Sequence, residues 1–203
     1  MHRKAGRHPE DRFLVMIMLG EDTGSLSRLI PSAMLPARYE QRSPHITLSG
    51  PFTLAPDHCA EDIAECIGMH GIDCSPLRFE IQGLISLRGR KGDVLALEVS
   101  PDPGMEEFYT LLSGNINRVA RQSTWIDRQP GLRRLHITLA FNMRAGEASR
   151  LREQIPVPLS VGGTRTAPGI AILRNGSIWC EYDLARHQWL DRAALFAKKR
   201  PGT

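Results

Sequence analysis

Apolar and polar positions change period several times along this chain, and each change marks an element. Residues 13–19 (Phe-Leu-Val-Met-Ile-Met-Leu) form a continuous apolar run closed by Gly20, as expected of a central buried strand. Leu26, Leu29 and Ile30 predict a short helix stopped by Pro31. From Pro44 the period becomes two: His45, Thr47 and Ser49 fall on one face of a strand, Ile46 and Leu48 on the other, and Gly50-Pro51 is the stop signal. A helix capped by Asp57 runs to about Gly68, with Cys59, Ile63, Cys66 and Ile67 on one face, so Cys59 and Cys66 read as small core residues. Leu77, Phe79, Ile81, Ile85 and Leu87 alternate in the next strand. It returns through the polar residues 88–93 into a strand over 94–99. Met105, Phe108, Tyr109, Leu112, Ile116 and Val119 line one face of the longest helix, a core stripe. A basic, Pro/Gly-broken loop over 128–134 leads into another alternating strand, His136 onward, and 146–154 fit a short helix. Gly162-Gly163 and Pro168-Gly169 are loop signals, and strands over 170–173 and 178–184 join at Asn175-Gly176, a strong hairpin turn.

The two alternating strands share a tetrapeptide. His45-Ile46-Thr47-Leu48 returns unchanged as His136-Ile137-Thr138-Leu139, 91 residues later. Each copy places a His and a Thr on its open face and its aliphatic residues in a core. A single half-buried His is more readily structural than functional. Two copies in one pattern, each followed by a short helix and further strands, point instead to a duplication that brings two imidazoles and two hydroxyls to one groove. The expected architecture is two similar α/β lobes that face each other. No linker divides the chain, so residues 1–203 form one domain, with 1–11 and 197–203 as frayed tails.

Composition adds little to this. The net charge of +4 suits a phosphate-bearing partner without requiring one. The four cysteines form no Cys-x-x-Cys pair and no zinc spacing, and free thiols fit a reducing cytosol, so a cytoplasmic location is expected. Neither a signal peptide nor an apolar run long enough to span a membrane is present, and no heptad pattern calls for a partner, so the expectation is a monomer.

Paired histidines suit phosphoryl transfer. One proton must leave the attacking oxygen and another must reach the leaving oxygen, and two imidazoles that titrate near ~6.5 can divide those tasks. The hydroxyls of Thr47 and Thr138 can donate to the non-bridging phosphate oxygens. No carboxylate cluster suggests a magnesium or calcium site, so metal-independent chemistry without a cofactor is expected. A strained cyclic phosphate is the natural substrate.

Two His-x-Thr-Leu motifs about a hundred residues apart, in a chain of this size, resemble the 2H phosphoesterase superfamily, which includes 2′-5′ RNA ligases and RNA 2′,3′-cyclic phosphodiesterases. The first motif continues Ser49-Gly50-Pro51-Phe52 where the bacterial RNA ligase branch has Phe-Leu-Gly. The second continues Ala140-Phe141-Asn142 without that branch's following Arg. The Pro-Phe form resembles a more divergent set of the superfamily. The resemblance implies an α+β fold, two pseudo-symmetric lobes of antiparallel sheet with helices packed outside around a central groove, and His45, Thr47, His136 and Thr138 as catalytic residues. It also implies opening of 2′,3′-cyclic phosphates to 2′-phosphates, on RNA ends or small cyclic nucleotides, with reverse 2′-5′ joining in some members. By analogy His136 is the general base and His45 the general acid. Ser49 and Arg134 share the motif faces and lie within reach of substrate. Phe52 or Tyr39 can stack on a base, although core packing suits Phe52 better, and Trp125, Trp179 and Trp189 are further candidates. The alternative is a binding module of the same fold that grips RNA or a phosphate end without turnover.

Overall fold

The computed structural model describes residues 10–20, 25–26, 28–30, 44–68, 76–89, 91–156 and 162–190. Strands β1 (Phe13–Met18), β2 (His45–Leu54), β3 (Arg78–Gly89), β4 (Gly92–Pro101), β6 (His136–Met143), β7 (Gly163–Thr166), β8 (Gly169–Arg174), β9 (Ser177–Asp183) and β10 (Gln188–Leu190) join in the order β10-β9-β8-β1-β2-β6-β4-β3-β7, and β5 (Ala120–Gln122) adds to the far end of β2. Every pairing is antiparallel. Among the described residues, three helices of eight or more residues, α1 (Ala60–Gly68), α2 (Pro103–Val119) and α3 (Glu147–Gln154), accompany the sheet in an α+β fold.

The apolar run of 13–19 lies between β2 and β8, where Val15 and Ile17 are fully buried. Such a position explains a continuous apolar strand, because both of its edges are paired and its core face is covered. Asp102 caps α2, its Oδ1 accepting from the Met105 N–H at 2.8 Å, and Pro103 occupies the first turn, where its missing N–H costs nothing. The predicted stripe of α2 is buried as a unit, and the helix packs across β2, β3 and β4. α1 rests on α2, and α3 packs on β3 and β4. The β8–β9 hairpin turns at Asn175-Gly176, both with positive φ (52° and 82°), as an Asn-Gly turn requires.

Several expectations need correction. β2 does not stop at Gly50-Pro51 but runs on to Leu54. Gly50 takes φ 113°, and the pairing with β1 shifts register on either side of Val15, so the strand bends and continues. α1 starts at Ala60, and Asp62 rather than Asp57 reaches back to its start, accepting from the Cys59 N–H at 3.0 Å. Cys59 therefore lies outside the helix and is exposed, whereas Cys66 is buried as expected. Gly163 opens an edge strand rather than a loop, and β5 and β10 have too few residues to carry a period. Glu10 and Asp11, expected in a frayed start, are held by Arg121 (2.7 Å) and by Arg174 with Asn175. The rest of that start, and residues 191–203, lie outside the described residues.

The halves of the sheet do not follow the halves of the chain. One comprises β10, β9, β8, β1 and β2, and the other β6, β4, β3 and β7. β3 and β4, which follow the first motif, therefore complete the half that holds the second, and β8, β9 and β10, which follow the second, complete the half that holds the first.

Candidate active site

The two motif strands are neighbours at the centre of the sheet. They pair at Ile46 and Ile137, the second residue of each copy. An antiparallel pair of equivalent residues is a local two-fold axis. Carried one residue either way, this register sets His45 beside Thr138 and Thr47 beside His136. The polar rows thus lie side by side on one face rather than on opposing walls. The histidines occupy one diagonal of a four-residue quartet and the threonines the other. Diagonal positions in an antiparallel pair are about 7–8 Å apart, room for a phosphate between two imidazoles.

The outer neighbours repeat the symmetry. Met18, Ile17 and Met16 of β1 pair with His45, Ile46 and Thr47, and Glu98, Leu97 and Ala96 of β4 pair with His136, Ile137 and Thr138. Burial repeats as well. In both copies His and Thr are half-buried, and Ile, Leu and the fifth residue are buried. That fifth residue is Ser49 in one copy and Ala140 in the other, so Ser49 is not in the open row. Phe52 is 1% exposed and stacks on Phe13 with ring centroids 6.0 Å apart. It is a core residue and takes no part in stacking on a base.

His45 has Met18 of β1 as its outer neighbour. Beside Glu98, His136 has a carboxylate as its neighbour. That carboxylate is taken by Arg134, which is exposed and ion-paired to it. His136 donates from Nδ1 to the Arg134 carbonyl oxygen at 2.9 Å. In the neutral ring this leaves Nε2 as a lone pair, free to accept a proton. Burial pushes the His136 pKa below the ordinary 6.5. The Arg134 carbonyl opposes that shift, and the charges of Arg133 and His45 reinforce it.

Two residues not singled out in the sequence complete the site. Asp127 is 1% exposed and Arg133 10% exposed, and they form a nearly enclosed ion pair at 2.6 Å. One Arg133 Nη holds the Asp127 Oδ1 and the other donates to the Thr47 carbonyl oxygen at 3.3 Å. The same Asp127 oxygen accepts from the Gly50 N–H at 3.2 Å, and Thr124 donates to its second oxygen. Asn117 of α2 donates to the Asp127 carbonyl at 2.8 Å. The loop before the second motif is thereby fixed to the strand of the first. An Asp six residues from an Arg in a basic loop carries no recognisable spacing, so only the fold reveals the pair.

Of the aromatic candidates, Trp125 is 63% exposed on this same loop, Trp179 is partly buried, and Trp189 packs edge-on against Tyr182. Tyr39 lies outside the described residues. No helix among the described residues is long and apolar enough to cross a membrane.

The sequence model described as the 2′-5′ RNA ligase superfamily matches residues 25–167. No curated protein matches the chain significantly. Among solved structures, TT0787 of Thermus thermophilus is similar with 16% identity and a TM-score of 0.53, over 85% of this chain and 97% of that one. A protein described as a phosphoesterase matches at 14% identity and TM-score 0.50, covering 86% and 98%. Usb1 of Kluyveromyces marxianus, solved with uridine monophosphate, matches at 12% identity and TM-score 0.50, covering 83% and 96%. These three likenesses establish a shared fold.

Proposed function

From the premise that this chain belongs to the 2′-5′ RNA ligase superfamily, we propose that it is a metal-independent phosphoesterase that opens 2′,3′-cyclic phosphates on RNA ends or nucleotides. The observation that carries this reading is the quartet of His45, Thr47, His136 and Thr138 about the Ile46–Ile137 pair. Two imidazoles on one diagonal suit an in-line displacement, in which proton removal and delivery occur on opposite sides of phosphorus.

His136 is the general base. Its Nδ1 hydrogen bond and its lowered pKa both favour a neutral ring with a basic Nε2. Nε2 takes a proton from water as the water oxygen bonds to phosphorus. The P–O3′ bond breaks, and His45 delivers its proton to the leaving 3′-oxygen. The product carries a 2′-phosphate and a free 3′-hydroxyl. Thr47 and Thr138 donate from the other diagonal to the non-bridging oxygens, where charge accumulates. The same sequence with a ribose 5′-hydroxyl in place of water, again displacing O3′, gives a 2′-5′ bond; run backwards, the 3′-hydroxyl attacks that phosphate, the 5′-hydroxyl leaves, and the two histidines exchange roles. Arg134, exposed at the rim, meets the rest of the substrate. The bound uridine monophosphate of the yeast neighbour supports a nucleotide as ligand.

The test is hydrolysis of a 2′,3′-cyclic nucleotide in excess EDTA by wild type, His45→Ala and His136→Ala. Turnover that survives the chelator and is lost at least ~100-fold in each variant is expected, the usual weight of a general acid or base. Wild-type protein that binds the nucleotide without turning it over would leave a phosphate-end binding module instead.

A further inference from the structure

We propose that Arg133 is a positioning residue of the two-histidine site, clamping the strand at Thr47 to the segment that carries His136. The inference rests on the phosphoesterase reading for its consequence in catalysis, but its geometry stands apart from it. Residues 133–136 perform two tasks in one short stretch. The Arg133 guanidinium crosses to the Thr47 carbonyl, and the Arg134 carbonyl orients the His136 ring. Asp127 supplies the countercharge that lets a guanidinium sit there nearly enclosed, and it ties the same unit to Gly50. The β2–β6 ladder offers only the Ile46–Ile137 pair to hold the motifs in register. The clamp is therefore a second, side-chain link across the seam at which the quartet is assembled.

A guanidinium is suited to this and an ammonium is not. Its planar fork reaches two acceptors at a fixed angle, whereas lysine presents one charge on a flexible stem. A catalytic group displaced by about 1 Å loses on the order of 100-fold in rate. The groups that face His136 are His45 and Thr47 from β2, Glu98 from β4, and Arg133 and Arg134 from its own approach. Of these, Arg133 links His136 to the opposite strand.

The experiment compares Arg133→Lys and Arg133→Gln with wild type. It measures kcat and KM on a 2′,3′-cyclic nucleotide, thermal unfolding, and the NMR titration of the His45 and His136 imidazoles. Arg133→Lys keeps the charge and loses the fork. A folded protein with kcat reduced ~100-fold, KM changed less than ~3-fold and an unmoved His136 midpoint is expected. Arg133→Gln loses the charge too, and the same kcat loss should come with a His136 midpoint shifted upward. Variants that unfold at lower temperature but retain wild-type kcat would overturn the proposal, because the pair would then be structural only. If the wild type turns nothing over, the titrations still decide. An upward shift of His136 in Arg133→Gln, with altered Thr47 and Gly50 amide signals in both variants, supports the clamp while the phosphoesterase reading fails. Unaltered histidine and amide signals overturn it.

Discussion

Ile46 of β2 sits directly across from Ile137 of β6, so the two copies of one tetrapeptide meet at the same residue. Both side chains are 0% exposed, and so are their outer neighbours Ile17 and Leu97. Four aliphatic residues in a row across four strands make a floor beneath the polar quartet. The position of each His is thus set by packing on the other face of its own strand.

Truncation of that floor should cost both stability and activity. Ile137→Ala is expected to lower unfolding free energy by about 2–5 kcal/mol, the range for a large aliphatic removed from a tight core. Denaturant unfolding reads this directly. A loss below ~1 kcal/mol would mean that the strand pair is not anchored there.

The acid limb of the pH profile should lie below the ordinary histidine range. Burial lowers the His136 pKa in the folded chain relative to about 6.5 unfolded. The unfolded chain therefore binds more protons between those two values. This group costs no stability above 6.5 and weakens the fold as pH falls from 6.5 through the native value. Histidine NMR titration checks the midpoint, and kcat/KM against pH should show its acid limb at the same place. A midpoint at or above 6.5 would remove the electrostatic case for His136 as base.

Gly50→Ala is expected to be strongly destabilising. Its φ of 113° is open only to glycine, and an added Cβ would come within 2.8 Å of the Phe13 carbonyl oxygen. The backbone of β1 cannot move aside without breaking its ladder. A thermal midpoint within ~2 °C of wild type would contradict this, given that about 1 kcal/mol moves a domain of this size by some 2–4 °C.

Thiol labelling should separate the described cysteines by position. Cys59 is exposed and reacts first in the native protein, though slowly, because a hydrogen bond with Glu61 raises its pKa. Burial pushes the Cys180 thiol up to about 12, with Glu61 adding to it, and burial raises Cys66 as well. Cys66 should label only on unfolding, and the half-buried Cys180 far more slowly than Cys59, as site-resolved mass spectrometry after iodoacetamide would show. Native labelling of Cys180 at the rate of Cys59 would contradict the burial.

The legible part of this molecule was the part written in period. The alternation around His45 and His136, the stripe of α2 and the Asn175-Gly176 turn each carry a local rule, and each element forms where the rule places it. What local rules could not supply was placement across the sheet. Alternation assigns Ser49 to the open face, but the loop bonded to Thr47 and Gly50 packs onto that end of β2. Phe52 follows a stop signal yet continues the strand into the core, because Gly50 bends it rather than ends it. Asp127 and Arg133 meet only through tertiary contacts, which have no period.

The interleaving of the halves has a consequence for synthesis. The four strands of the second half, β3, β4, β6 and β7, are made consecutively between residues 78 and 166, interrupted only by the short β5. The strand bearing His45 is made early, with β1 as a neighbour, but β8 follows more than a hundred residues later. A nascent chain must therefore hold an apolar edge open on β1 while the middle of the sheet is completed. A ribosome stalled before residue 169 would present that edge, along Leu14, Met16 and Met18, to whatever strand or chaperone reaches it first.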